Sequence, residues 1–254
     1  MSLNVTIQGF VASVAINRPE KLNALDLAAF AEIGRLAEEL DRDERVRVVV
    51  FRGTGHQAFS AGADISELVD ITNDEARDRA KCRQAALQKL EDMSKPTVAV
   101  MSGYALGGGV ELALACTFRI ATADVKIAFP EVKIGQLPGA GGTQRLPRLI
   151  GRSRALDMML TGRMIGAEEA LGFGLLNRVI DDPNCDADAF IGQFTSLSPV
   201  ALAAIKRAVH WSEGPLMKGL EMEVDQLYEL NKSLDAEEGK RAFLQKRPPV
   251  FVGR

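Results

Sequence analysis

Two glutamates in apolar company are the residues best suited to chemistry in this chain. Glu111 interrupts the run "GGGVELALA", where a helical pattern asks for a core residue. Glu131 follows Pro130 and sits among Phe129, Val132 and Ile134 in "IAFPEVKIG". Glutamate is almost never fully buried without a partner, so each position needs a reason. For Glu111 one reason is a first-turn carboxylate complementing a helix dipole; another is an acid or base working in a dry setting. Glycine-rich stretches flank both: "GYALGGG" runs into Glu111, and "PGAGGTQ" follows Glu131. Glycines at a strand-to-helix junction permit positive φ and close approach to the backbone, and a helix start presents unpaired N–H groups. Taken alone, these glycines read first as a tight turn packed on a neighbour. Beside two glutamates they suggest proton transfer next to a carbonyl, with an amide cradle for the negative charge that develops on oxygen. A third stretch, "SAGAD" (Ser60–Asp64), offers either a second oxyanion donor or a helix N-cap at Asp64.

Other chemistries lack their residues. His56 and His210 are the only histidines, which argues against histidine-rich metal sites and most histidine-based catalysis. Cys82, Cys116 and Cys185 are far apart and form no CxxC or Cys/His cluster, so they read as reduced thiols rather than a disulfide framework. No GxSxG, GxxxxGK[ST] or GxGxxG occurs. The net charge of −3 argues against a broad nucleic-acid surface. The N-terminus alternates apolar and polar residues and reads as strands rather than a leader, and no stretch is apolar and long enough to span a membrane.

The elements that must carry these residues follow from periodicity. Val5–Ile7 and Val11–Ile16 predict a hairpin turning near Gly9. "NRPEKLNAL" reads as a loop, with Asn23 as a cap for a helix bearing Leu25, Leu27, Phe30, Ile33, Leu36 and Leu40. "VRVVVF" (Val46–Phe51) and "TVAVM" (Thr97–Met101) suit strands buried on both faces. Between them lie a loop of small residues and a polar-faced helix from Asn73 to Met93. Phe118–Ala121 and Val125–Ala128 predict short strands, and a glycine-rich loop after Glu131 enters another helix. Strand–helix alternation through Ile180 indicates an α/β core. Helices are expected at Ala187–Ser196, Pro199–Ser212 and Pro215–Leu234, followed by a charged end with a Pro-Pro turn. The expected division is residues 1–195, the core with the site, and 196–254, a helical C-terminal piece.

The chain resembles the crotonase (enoyl-CoA hydratase/isomerase) superfamily. The likeness rests on "NRPEKLNAL", "FSAGADI", "KPTVAVMSGYALGGGVELALAC", "FPEVKIGQLPGAGGTQRLPRLIG", "LTGRMIGAEEALGFGLLNRVI" and "EGKRAFLQKRPPVF", in the family's order and spacing over nearly the full length. The resemblance implies a spiral of ββα turns with C-terminal helices that form trimers, which commonly stack as hexamers. It implies that the backbone N–H groups of Ala63 and Gly108 hold an acyl-CoA thioester oxygen, and that Glu111 and Glu131 are the catalytic carboxylates. Lys21, Leu22 and Ala24, with Ala61, Asp64 and Ile65, match loops that run along CoA. Gly107 and Pro130 are implied substrate-binding positions, Gly139 matches the helix-start position near the second glutamate, and Lys246 of a neighbouring subunit matches a phosphate contact. One departure stands out: the run is "IAFPE", with Ala128 where members often have glycine and bulky Phe129 before the proline.

The implied activity is hydration of a trans-2-enoyl-CoA to a 3-hydroxyacyl-CoA, in the cytoplasm, without a cofactor beyond the CoA of the substrate and without nucleic-acid or membrane partners. Glu111 is assigned to activating water and Glu131 to protonating Cα. Low polarity should raise a glutamate pKa and helix-start dipoles should lower it, and the sequence leaves the outcome open. Alternatives are a Δ-isomerase, which needs only the carboxylate matching Glu131, and hydration of a specialised acyl-CoA. An RNA-binding relative would want a lysine-rich helix; "EARDRAKCRQAALQKLEDMSK" mixes both signs and reads as a solvated face. The charged stretch Asn73–Arg83 is expected to line or cover the acyl pocket only loosely.

Overall fold

The computed structural model describes residues 2–254, the side chain of Glu213 apart. Met1, the first residue of the expected strand-rich N-terminus, lies outside the described residues. Chain order alternates strands and helices: β1 (Leu3–Gln8), β2 (Val11–Ile16), α1 (Leu27–Arg42), β3 (Val48–Gly53), β4 (Ala58–Ser60), α2 (Asn73–Glu91), β5 (Thr97–Met101), β6 (Tyr104–Leu106), α3 (Gly108–Ala115), β7 (Phe118–Thr122), β8 (Lys126–Ala128), α4 (Gly142–Ile150), α5 (Arg152–Thr161), α6 (Ala167–Phe173) and β9 (Arg178–Ile180). Four further helices follow: α7 (Cys185–Thr195), α8 (Pro199–His210), α9 (Leu216–Leu230) and α10 (Leu234–Leu244).

Two sheets share these strands. The larger has the order β1-β2-β3-β5-β7-β9, antiparallel only at the β1–β2 hairpin, and the smaller has the order β4-β6-β8, all parallel. After the β1–β2 hairpin and α1, each of the next three turns places one strand in the large sheet (β3, β5, β7), the next in the small sheet (β4, β6, β8), and then a helix (α2, α3, α4). This is the expected spiral of ββα units. β3 and β5 are buried along both faces, as their continuous β-branched runs predict. The apolar stripe of α1 (Phe30, Ile33, Leu36, Leu40) is buried in the same core.

Several local expectations change. Asp26, not Asn23, caps α1, accepting from Ala29 N at 2.7 Å. Asn23 is fully buried and does different work: its Nδ2 donates to the carbonyls of Thr54 (2.9 Å) and Ala58 (2.7 Å), while its Oδ1 accepts from Arg18 N (3.1 Å). The stretch read as loop before α2 holds β4, and β6 separates β5 from α3. Both strands are three residues long, too short for a periodicity signal. The charged C-terminal segment contains α10, capped by Ser233, before the extended end. Its buried Asp235 accepts from the Ser198 hydroxyl at 2.7 Å and from the N–H groups of Val252 and Gly253, tying the end to α8. Among the described residues, no single helix is long and apolar enough to cross a membrane.

Candidate active site

The small parallel sheet explains how distant residues meet. Its three strands end side by side, and each continues into one part of the site. β4 leads into Ala61–Asp64, β6 into Gly107–Gly109, and β8 into Phe129–Glu131. Ligand groups in parallel sheets gather beyond the carboxyl ends of strands, and these exits are such ends.

The first junction joins Ala63 to Gly108. A Cβ on Gly108 would lie 3.2 Å from Ala63 N, and one on Gly62 would lie 3.1 Å from Gly108 N. The two N–H groups are thus close neighbours, and neither donates a backbone hydrogen bond among the described residues. Gly108 is the first residue of α3, where an orphan N–H is expected. The second junction joins Gly107 to Glu131. Gly107 has φ +46°, and a Cβ there would come within 2.4 Å of Glu131 Oε1. Gly109 answers to a different neighbour: its Cβ would lie 2.6 Å from the Ser60 carbonyl. The three glycines therefore allow α3 to sit directly against the exits of the flanking strands.

Glu111 lies one turn into α3, every residue of which is buried. Its Oε1 accepts from Ala140 N (2.8 Å) and Gly142 N (2.7 Å), so the "PGAGGT" loop closes on the first glutamate. Gly139 stands short of α4 rather than at its first turn, and its carbonyl accepts from Gln84 Nε2 at 3.0 Å. Burial pushes the Glu111 pKa up, against the opposing pull of the two amides and of Arg145 and Arg83. At the far end of α3, buried Arg119 donates to the carbonyls of Cys116 (2.7 Å) and Ala113 (3.3 Å), placing a cation where the helix dipole is negative.

Glu131 lies in the 3₁₀ turn Pro130–Ile134, and its Oε2 is buried without a hydrogen-bond partner. Burial pushes its carboxyl up to about 7, and the nearby Glu111 charge adds to the rise. Burial thus outweighs the backbone N–H donors at both glutamates. Phe129 is fully buried, with its ring edge 2.9 Å from where a Gly142 Cβ would sit. It packs against the loop that grips Glu111, in the wall behind the glutamate.

The loops read as a CoA track are joined to each other. Ala61 N donates to Leu22 O (2.9 Å), Leu25 N to Gly62 O (2.7 Å) and Asp64 N to Leu25 O (2.9 Å). The Asp64 carboxylate binds Lys21 Nζ at 2.9 Å and Arg18 Nη2 at 3.0 Å. The Ser66 hydroxyl, then Lys21 and Arg18, hold that carboxyl well below the usual range. Asp64 also accepts from Ser66 N and so caps the 3₁₀ turn Ile65–Leu68, the N-cap reading of "SAGAD". Ala24 is buried in this track, and Ile65 is exposed at its edge. Lys246 stands just past α10 with its N–H on Phe243 O, and among the described residues no hydrogen bond or ion pair links it to the cradle.

Sequence reasoning missed three contributors: the Asn23 clamp, the short strands β4 and β6, and the side chain of Arg83. The amide donors at Ala140 and Gly142 were foreshadowed only by the glycine-rich composition around them.

The fold defines a class, the ββα spiral of the crotonase type. Comparison with known proteins gives the family. The sequence profile described as enoyl-CoA hydratase/isomerase matches residues 6–254. The probable enoyl-CoA hydratase echA8 of Mycobacterium bovis is 40% identical over 247 residues, covering 96% of this chain and 95% of that protein. The short-chain-enoyl-CoA hydratase of Clostridium acetobutylicum is 36% identical over 253 residues, with 97% of each covered. The crystal structure of an enoyl-CoA hydratase from Bacillus anthracis superposes with a TM-score of 0.95 at 34% identity, covering 100% of both chains. The chain belongs to the enoyl-CoA hydratase/isomerase family.

Proposed function

We propose that the protein is a 2-enoyl-CoA hydratase, adding water across the 2,3 double bond of a trans-2-enoyl-CoA to give a 3-hydroxyacyl-CoA. The observation that carries this reading is the pair of glutamates, Glu111 and Glu131, beside the adjacent N–H groups of Ala63 and Gly108. An isomerase needs only one carboxylate; hydration has work for two.

The thioester oxygen accepts from the Ala63 and Gly108 amides. As water adds at Cβ, electron density moves to that oxygen, and the two donors stabilise it; one such donor is worth about 2.7–4 kcal/mol. Glu111 serves as the carboxylate base: the two amides on its Oε1 favour the charged form and oppose the upward push of its burial. Its other oxygen takes the proton from water as the hydroxyl bonds to Cβ. Glu131, held near neutrality in its pKa, delivers its proton to Cα. Passage of the proton from Glu111 back to Glu131 restores the pair, so one water is consumed and no other reagent is needed. No cofactor is required, because CoA is part of the substrate.

CoA runs along Lys21, Leu22, Ala24, Ala61, Asp64 and Ile65, with Gly107, Pro130 and Gly139 bordering the acyl group. Residues 1–195 form the catalytic core and 196–254 a helical oligomerisation region, from which Lys246 reaches a neighbour's CoA phosphate. The working form is a cytoplasmic homotrimer or a dimer of trimers.

Purified protein mixed with crotonyl-CoA should remove the enoyl-thioester absorbance and give a product heavier by one water in mass spectrometry. A product of unchanged mass would reassign the protein as an isomerase, and no turnover at any acyl length would sink the reading.

A further inference from the structure

One half-buried cation beside the core has two nitrogens with no hydrogen-bond partner that the hydration chemistry explains. Arg83 lies on α2, in the stretch expected to cover the site loosely. Its Nε and Nη2 atoms are fully buried and make no hydrogen bond among the described residues. These two nitrogens are not an arbitrary pair. They form one edge of the guanidinium fork, whose parallel N–H groups match the two oxygens of a carboxylate. The same edge appears satisfied elsewhere in this chain, where Arg45 Nε and Nη2 grip the two oxygens of Asp43.

The position of the fork relates it to the site. The Arg83 guanidinium carbon lies 5.7 Å from the centroid of the Phe30 ring, and the tip of that ring is 3.4 Å from where a Gly108 Cβ would sit. Arg83 is thus separated from the Gly108 amide by one aromatic ring. Its charge is felt at Glu111, yet no salt bridge joins the two. The other carboxylate in its field, Glu67, is engaged elsewhere: its Oε2 accepts from Leu27 N at 2.8 Å. The next residue on α2, Gln84, donates to Gly139, so this part of the helix is anchored over the glycine loop. A guanidinium keeps its charge even when burial lowers its pKa, and a buried charge with unfilled donors is costly.

Resting on the hydratase reading, we propose that Arg83 is a specificity-determining residue that binds a carboxylate on the acyl chain, so that the preferred substrates are 2-enoyl thioesters of dicarboxylic acids. The thioester oxygen engages Ala63 and Gly108, the double bond lies between the glutamates, and the distal carboxylate closes on the Nε and Nη2 edge of Arg83. An uncharged enoyl chain would leave that edge unpaired.

Binding can be read without turnover. Glutaryl-CoA, butyryl-CoA and free CoA are titrated calorimetrically into the wild-type protein and into the Arg83→Met and Arg83→Lys variants. Wild type should bind glutaryl-CoA at least tenfold more tightly than butyryl-CoA. That preference should fall roughly 10- to 100-fold in Arg83→Met and less in Arg83→Lys, as expected for charge-assisted hydrogen bonds. In turnover, the kcat/KM ratio of glutaconyl-CoA to crotonyl-CoA should fall by a similar factor. Equal binding of the two saturated thioesters by wild type overturns the proposal, with no variant needed. Equal weakening of all three ligands in Arg83→Met also overturns it, because it would assign the side chain to CoA phosphate or to structure. If no enoyl-CoA is hydrated at all, the hydratase reading fails, while the glutaryl-CoA preference still decides the role of Arg83.

Discussion

Glu111 and Glu131 are the same residue type placed in two different electrostatic situations. Glu111 is fully buried but receives two amide N–H groups on one oxygen; Glu131 has a buried oxygen with none. In the proposed mechanism this difference makes Glu111 the base and Glu131 the acid, and the assignment makes specific predictions. Glu111→Gln should keep the fold and CoA-thioester binding while lowering kcat by about 10²- to 10⁴-fold; unchanged kcat would remove Glu111 from the mechanism. As the proposed acid, Glu131 must be protonated to donate, so the hydration rate should fall as pH rises through about 7. The stability effect has the same sign. A carboxyl whose folded pKa is raised holds a proton that the unfolded chain has already lost, so stability declines as pH climbs from the ordinary carboxylate range to about 7. Thermal melts of wild type and Glu131→Gln at pH 5 and pH 8 should therefore diverge, with the variant gaining relative to wild type at the higher pH. Asn23 acts structurally. Asn23→Ala would leave the Thr54 and Ala58 carbonyls without their donor and should cost about 2–3 kcal/mol in urea unfolding.

At the scale of elements, the site is a product of two very short parallel pairings. β4–β6 brings Ala63 to Gly108, and β6–β8 brings Gly107 to Glu131. The contacts at Gly107 leave no room for adjustment, because its backbone is in positive φ and the Glu131 carboxylate fills the space a side chain would need. Gly107→Ala should cost about 1–3 kcal/mol in backbone strain and lower kcat more than tenfold by displacing Glu131. Circular-dichroism melts and the crotonyl-CoA assay read the two effects separately; wild-type kcat in this variant would show that Glu131 does not depend on the junction. Neither pairing was legible in the sequence: β8 was expected within Val125–Ala128, but its partners β4 and β6, three residues each, were read as parts of loops. Their neighbours β3 and β5 were legible because both faces are buried and every residue is apolar or β-branched along most of their length.

At the scale of the whole molecule, the C-terminal helices leave a large apolar surface in contact with water. On α9, Met217, Leu220, Val224 and Leu227 are all exposed at helical spacing, and no residue of the helix is buried. Phe243 and Leu244, at the end of α10, are 83% and 80% exposed. A monomer rarely presents such a face. Sedimentation velocity should therefore give a trimer or hexamer, and Val224→Asp with Leu227→Asp should shift it toward monomer and lower the melting temperature in a concentration-dependent way. A monomeric wild-type protein at micromolar concentration would refute this assignment.

The sequence by itself determined the chemistry on offer: two glutamates in apolar surroundings, three small-residue loops, and no cluster of metal ligands or triad to compete with them. It also determined the alternation of strands and helices, because burial of long elements imposes a period on residue type. The tertiary structure decided the rest. Which loop grips which glutamate, which N–H groups become neighbours, and that Asn23 clamps a turn rather than capping a helix all depend on pairings between residues dozens of positions apart. So does the raised pKa of each glutamate, since burial and amide donation come from other parts of the chain. Arg83 is the sharpest case: in sequence it is one charge among many on a polar helix, and only the packing of that helix over Phe30 places two of its nitrogens out of reach of water.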